Sequence, residues 1–336
     1  MKHKKLFRIN PKKWLLAAFI VGVGILALHL QNPFFTGRAG FWSVGYSHFA
    51  DIPDNFKVNP AQIYGPGKLS AQIPDTEFLA DPFFLFDKGK YYLFFEHKKF
   101  YDPHASIGVL ISDDGRTYKY GGDVLSENFH LSYPQVFRHK GSFFMLPEAQ
   151  GSGHVILYES KRFPFDWKPL DTLIHNVKLK DPSIYLSDSL NIIVAADPNL
   201  KMMVYTSDSL RGKWRPHQKH IALSGSESRP AGRFFVDSGK LMLPVQNHSN
   251  GYGSGVSLYE FRFSGDDYTV ERSKKMYLKG QSHIPQFTFG MHHLDIQKTD
   301  AGYYTVYDGI PAKEGRNLSY VGSLKMTYND FLNLFR

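Results

Sequence analysis

The chain contains no cysteine. That absence excludes disulfides and thiolate metal sites, and it leaves an exported location open. No acidic residue occurs between Met1 and Leu30, whereas Lys2, Lys4, Lys5, Arg8, Lys12 and Lys13 crowd the start. Those six cations account for most of the formal net charge of +9. The rest of the chain has no long basic run and no nucleic-acid motif, so nucleic acid is not an expected partner. Also missing are a glycine-rich phosphate loop, a nucleophile-elbow serine and a dinucleotide fingerprint. Beyond Gln31 no periodic pattern supports a helix, apart from a short closing segment at Tyr328 to Phe335. The body therefore reads as all-β.

What the chain does have is a frame that recurs about every 50 residues. A residue-Pro pair opens an apolar strand, a turn follows, and a second apolar strand ends on a polar residue. The pairs are Asp81-Pro82, Tyr133-Pro134, Asp181-Pro182 and Arg229-Pro230. A fifth copy without the proline runs from Gly290 through His292 and His293 to Asp308. This period fits one four-stranded antiparallel blade, and five copies predict a five-bladed β-propeller. The aromatic content of 15% suits blades packed face to face. A propeller gathers the starts of its inner strands at one central funnel, so Asp81, Tyr133, Asp181, Arg229 and His292 or His293 are expected to converge.

Before the propeller, Trp14 to Leu30 forms an apolar run without acid, lysine or arginine. With the basic residues 1–13 as a cytoplasmic tail, residues 14–30 read as a single transmembrane signal anchor, with the body on the extracytoplasmic side. A cleaved signal peptide is the competing reading. Residues 31–75, rich in Pro, Gly and Asn, read as a stalk, and residues 76–336 as the propeller.

Asp81 and Asp181 share the slot before proline. The bland explanation is that proline restrains its predecessor to extended backbone, which starts strands well. The functional one is that carboxylates converging from separate blades suit glycosidic bond hydrolysis, one as base on water and one as acid on the leaving oxygen. Glu96, Glu148, Asp197 and Asp308 end the second strands of their repeats and are expected at a common radius. Arg229 offers a planar fork for an acidic sugar or phosphate, or for a salt bridge to Asp181 or Glu227. His292 and His293, with Asp295, form an HHxD string, but neighbours in a strand point to opposite faces.

The Ala80-Asp81-Pro82 start, the Gly89-Lys90-Tyr91-Tyr92-Leu93 hairpin and Lys180-Asp181-Pro182 resemble the family 43 glycoside hydrolases and their relatives. That resemblance implies Asp81 as general base, Asp181 as the residue that tunes and orients the acid, and a fourth-blade glutamate as the acid. Glu227 is the residue nearest that last slot, although it lies three before Pro230 where the family has two. The resemblance also places His292 or His293 near a divalent cation in the funnel, while no metal ligand set is assigned.

A resemblance covering more of the chain rests on His130-Leu131-Ser132-Tyr133-Pro134, Met145-Leu146-Pro147-Glu148-Ala149, Ser228-Arg229-Pro230-Ala231-Gly232, Gln246-Asn247-His248-Ser249 and Tyr252-Gly253. These strings are similar to the N-terminal domain of the glucosamine inositolphosphorylceramide transferases. It implies a glycan or glycolipid substrate, with Tyr133, Glu148, Arg229, Gln246, His292 and His293 contacting it, and a glycan-synthesis enzyme as partner. Three functions stay open: an inverting hydrolase, a sugar transferase or modifying enzyme, and a carbohydrate-binding propeller without catalysis.

Overall fold

The computed structural model describes residues 11–31, 35–36, 41–312 and 317–333. Five antiparallel sheets surround a central funnel, as the repeat predicts. Blade 1 is built from Thr76–Asp87, Lys90–Lys99, Ser106–Ser112 and Lys119–Leu125. Blade 2 follows with Ser132–His139, Ser142–Glu148, Val155–Arg162 and Phe165–Ile174. Blade 3 comprises Lys180–Leu186, Asn191–Ala196, Lys201–Thr206 and Arg215–Ser224. In blade 4 the inner strand is broken into Arg229–Pro230 and Phe235–Asp237, ahead of Lys240–Asn247, Gly255–Ser264 and Asp267–Lys279.

Blade 5 departs from the sequence reading. Its inner strands Leu294–Thr299 and Gly302–Gly309 are completed by Ser43–Phe49 and Ile63–Tyr64 from the other end of the chain. Part of the segment expected as a stalk is thus the outer half of a blade. Its continuous pairing from Ser43↔Gly309 to Phe49↔Tyr303 closes the ring. The physical reason is that an open fifth blade would leave the edge at Gly302–Gly309 unpaired.

Each blade interface holds one apolar cluster. Phe84, Leu93 and Phe95 of blade 1 pack on Val44, Tyr46 and Tyr304 of blade 5. The Phe84 and Tyr304 rings stack at 4.1 Å. Phe94, Ile107 and Val109 meet Val136, Met145 and Tyr158 between blades 1 and 2. A fully buried phenylalanine contributes about 1.5–3 kcal/mol relative to exposure, so these interfaces dominate cohesion. Blades 4 and 5 approach closely at Gly232, where φ is +156° and a Cβ would lie 1.9 Å from the Leu294 carbonyl oxygen. Only glycine fits that contact.

Among the described residues there are three α-helices: α1 (Pro11–Gln31), a single turn α2 (Pro66–Leu69) and α3 (Tyr320–Asn333). The closing helix starts earlier than its sequence suggests, because Gly322 and Ser323 weaken the local signal. Phe335, in the expected closing segment, lies outside the described residues, as does most of the basic tail. Among the described residues no helix is long and apolar enough to cross a membrane.

Candidate functional site

The site begins with the backbone. Asp81, Tyr133 and Asp181 adopt φ of +50°, +49° and +49°. Proline was expected to hold its predecessor extended; instead all three sit in the left-handed region. Each lies in a bulge, where register shifts between Ala80 and Phe83, Ser132 and Gln135, and Lys180 and Ser183. Such a conformation costs about 1–3 kcal/mol per residue and persists only when its surroundings hold it. The neighbouring blade supplies part of that hold. Asp81 N–H donates to Asp308 Oδ2 at 3.0 Å, and Asp181 N–H donates to Glu148 Oε2 at 3.1 Å. The carboxylates that end the second strands therefore brace the bulges of the next blade.

The bulge at Asp81 aims its carboxyl at a cavity of about 640 Å³, which Glu96, Glu148, Arg229 and His292 also line. Asp181 is fully buried beneath Arg229. Arg229 Nη2 donates to Asp181 Oδ1 at 3.1 Å, its Nε donates to Asp181 Oδ2, and Gln246 Nε2 donates to Asp181 Oδ2 at 2.8 Å. Burial acts to raise the Asp181 pKa, but the guanidinium outweighs it and holds the carboxyl below the usual range. Arg229 Nη2 is also 3.6 Å from Glu148 Oε2.

Glu148 behaves in the opposite way. Burial, then the negative charge of Asp181, pushes its pKa up to about 8 against the partial relief from Arg229. At neutral pH it carries a proton. Asp81 is also raised, first by burial and then by the charges of Asp181, Glu96 and Asp308. Its Oδ1 is buried and has no hydrogen-bond partner among the described residues. Two carboxyls whose pKa values are raised thus face one cavity.

The wall opposite is aromatic. Asp308 accepts the backbone N–H of His292 and His293 at 3.1 and 3.0 Å, and pairs with His292 Nδ1 at 2.9 Å. That fixes the His292 ring, whose Nε2 lies 3.1 Å from Tyr252 Oη. Trp42 stacks on the same ring at 3.9 Å. His248 also lines the cavity, and burial followed by the charge of Arg229 lowers its pKa to about 3, so the ring is neutral.

The strand-alternation argument against both histidines does not apply, because the strand starts only at Leu294. His292 Nε2 and His293 Nδ1 lie 3.9 and 3.7 Å from Asp81 Oδ1. His293 nevertheless sits behind the wall, edge-on to Phe83 and Tyr133. Donor atoms of Asp81, His292 and Asp308 lie within 4.8 Å of one another. Two carboxylates and an imidazole, one carboxylate oxygen lacking a partner, suit a divalent cation, which would favour the ionised form of Asp81.

Other expected residues are placed elsewhere. Tyr133 is buried in the hub, its hydroxyl bonded to Ser183 and to both backbone groups of Gly232. Gln246 lies below the floor on Asp181. Glu227 is not brought to the funnel. Its carboxylate accepts from Asn247 at 2.6 Å, Tyr259 at 2.8 Å and Arg272 at 2.6 Å, beside a separate cavity near the outer strands of blade 4. Glu96 and Glu148 are the glutamates that line the funnel. Trp42 and Lys180 line the cavity without having been singled out.

The family described as "Glucosamine inositolphosphorylceramide transferase 1, N-terminal" matches residues 59–310. The chain belongs to this family. Glucosamine inositolphosphorylceramide transferase 1 of Oryza sativa subsp. japonica is 30% identical over 269 residues, covering 74% of this chain and 35% of the relative. The Arabidopsis thaliana protein of the same name is 30% identical over 248 residues, covering 68% and 32%. The chain therefore spans about a third of the length of these transferases. In fold it is similar to the endo-1,4-beta-xylanase of Bacteroides thetaiotaomicron, with TM-score 0.52, 17% identity and coverage of 72% and 94%. A thermostable family-43 glycoside hydrolase gives TM-score 0.50, 14% identity and coverage of 73% and 93%. Both likenesses concern the propeller alone.

Proposed function

We propose that this member of the transferase N-terminal family is a sugar-handling propeller of glycolipid or surface-glycan biosynthesis, acting in glycosyl transfer or sugar modification. The carrying observation is the pairing of two buried carboxyls, Asp81 and Glu148, in one ring-walled cavity, where burial raises the pKa of both. Protonated carboxyls donate hydrogen bonds to sugar hydroxyls, and Trp42 and Tyr252 offer apolar faces to the ring. The Arg229 fork is taken by Asp181, which favours a neutral polyol over a phosphate at that position.

Inverting hydrolysis, with Asp81 as base, is the second reading, favoured by the two carboxyls in one cavity. It needs one of them ionised to activate water, with a separation of about 6.5–9.5 Å. Asp81 is instead pushed toward its neutral form. That argues for binding and transfer unless a cation at Asp81, His292 and Asp308 restores the charge. A glycan-synthesis enzyme is the proposed partner.

α1 is proposed as the membrane attachment, with the propeller on the extracytoplasmic side. It contains no acid, and Trp14, Leu15, Phe19 and Ile20 are all at least 60% exposed. Incubation of the full chain with labelled glycolipids, free glycans and nucleotide-sugar donors tests the functional reading. Transfer or glycan binding that survives Asp81→Asn, which keeps a donor, and is lost in Asp81→Ala supports it. Release of free sugar without a donor supports hydrolysis, and no interaction with any sugar overturns both.

A further inference from the structure

Helix α3 has its faces reversed for a protein in water. Ser323, Met326, Thr327 and Asp330 recur at helical spacing on the side turned to the propeller, and three of the four are polar. Asp330 Oδ1 accepts from Ser226 N–H at 2.8 Å and from Ser226 Oγ at 3.2 Å. Lys325 Nζ donates to the Pro198 carbonyl at 2.6 Å. The outward stripe is Val321, Leu324 and Tyr328, exposed by 78%, 45% and 63%. A surface helix normally buries its apolar stripe and shows its polar one. Here the inner face is mostly polar, with Asp330 hydrogen-bonded and Thr327 Oγ1 buried without a partner among the described residues, while apolar groups are turned out, which fits an exterior that is not water.

The position of α3 says what that exterior is. Met326 lines the funnel with Pro198 and Leu200, so the helix forms part of the funnel rim. α3 packs against α1, and backbone pairing of Phe35 with Leu318 and Thr36 with Asn317 ties the segment leaving α1 to the start of α3. The outward stripe therefore belongs to a helix that packs on the apolar helix proposed as the membrane attachment.

We propose that the outer face of α3 lies in the surface of a lipid bilayer, so that the funnel opens beside the headgroup layer. An aromatic at Tyr328 with aliphatic neighbours suits that interface. The arrangement would present a lipid-linked sugar to Asp81 and Glu148 without extracting its lipid. This deepens the glycolipid reading and rests on it for the identity of the substrate, but the docking of α3 is measured separately.

The absence of cysteine allows single labels. Full-length Val321→Cys, Tyr328→Cys and Val236→Cys would each carry an environment-sensitive fluorophore and be reconstituted in vesicles of phosphatidylcholine and phosphatidylglycerol. Val236 is 52% exposed on blade 4, at the end where the chain turns from Asp237 to Lys240, away from the funnel. Expected is several-fold stronger quenching by lipid-borne nitroxide at positions 321 and 328 than at 236, with the reverse order for aqueous iodide. Equal iodide access at all three positions overturns the proposal. Protection from both quenchers at 321 and 328, growing with protein concentration, also overturns it in favour of a contact between copies. Binding of soluble sugars by the same proteins reports the funnel independently.

Discussion

Replacing Glu148 by glutamine should change how stability depends on pH. A carboxyl whose pKa rises from 4.5 to about 8 on folding binds its proton more tightly in the folded state. Below the unfolded value both states are protonated and no penalty exists. As pH rises from 4.5 to about 8 the unfolded chain releases the proton and the folded chain keeps it, so stability falls by about 1.4 kcal/mol per pH unit. Above that window the loss levels off at a total on the order of 5 kcal/mol, an upper bound because the surroundings relax. Glutamine mimics the protonated acid: its carbonyl can accept the Asp181 N–H, and its amide can donate to the Asp181 carboxylate. Denaturant unfolding of both proteins at about pH 5 and about pH 9 isolates the effect, since other groups cancel in the difference. Glu148→Gln is expected to be close to wild type at the lower pH and more stable at the higher one. A difference that does not change with pH refutes the assignment of Glu148 as a neutral acid.

Gly232→Ala should destabilise the ring by about 3 kcal/mol or more, read by thermal unfolding, because the Cβ meets the Leu294 carbonyl at 1.9 Å. Trp42→Ala should weaken sugar binding about tenfold through loss of a ring from the funnel wall, measured by titration calorimetry, and should also lower stability by about 3–5 kcal/mol, because Trp42 is buried with Phe78, Ala80 and Ile310. Millimolar calcium or manganese should raise the melting temperature of the wild type, and Asp308→Asn should abolish the rise if Asp81, His292 and Asp308 take a cation.

The propeller was legible because one blade cannot bury both of its faces, so its apolar strands and turns must repeat. The slot before proline was legible as a position, yet its conformation was not. Local sterics favour extended backbone at Asp81 and Asp181, and only the carboxylates of the neighbouring blade make the left-handed bulge tenable. Glu227 was assigned by analogy of position, and a shift of one residue at a strand start sends the side chain to different neighbours. Trp42 escaped notice for a topological reason. It precedes a strand that joins blade 5 from the far end of the sequence, and no local pattern announces that pairing. The low exposure of Glu148 was foreseeable from its place at a strand end, but its protonation depends on the charge of Asp181, a contact between blades.

The most direct measurement is a crystal structure of the chain soaked with the free sugar portion of a glycolipid that it binds. The account predicts density for the sugar in the central funnel, within hydrogen-bonding distance of Asp81 and Glu148 and against the Trp42 face. Sugar bound instead in the outer cavity beside Glu227 and Arg272, with the funnel filled only by water, would contradict it.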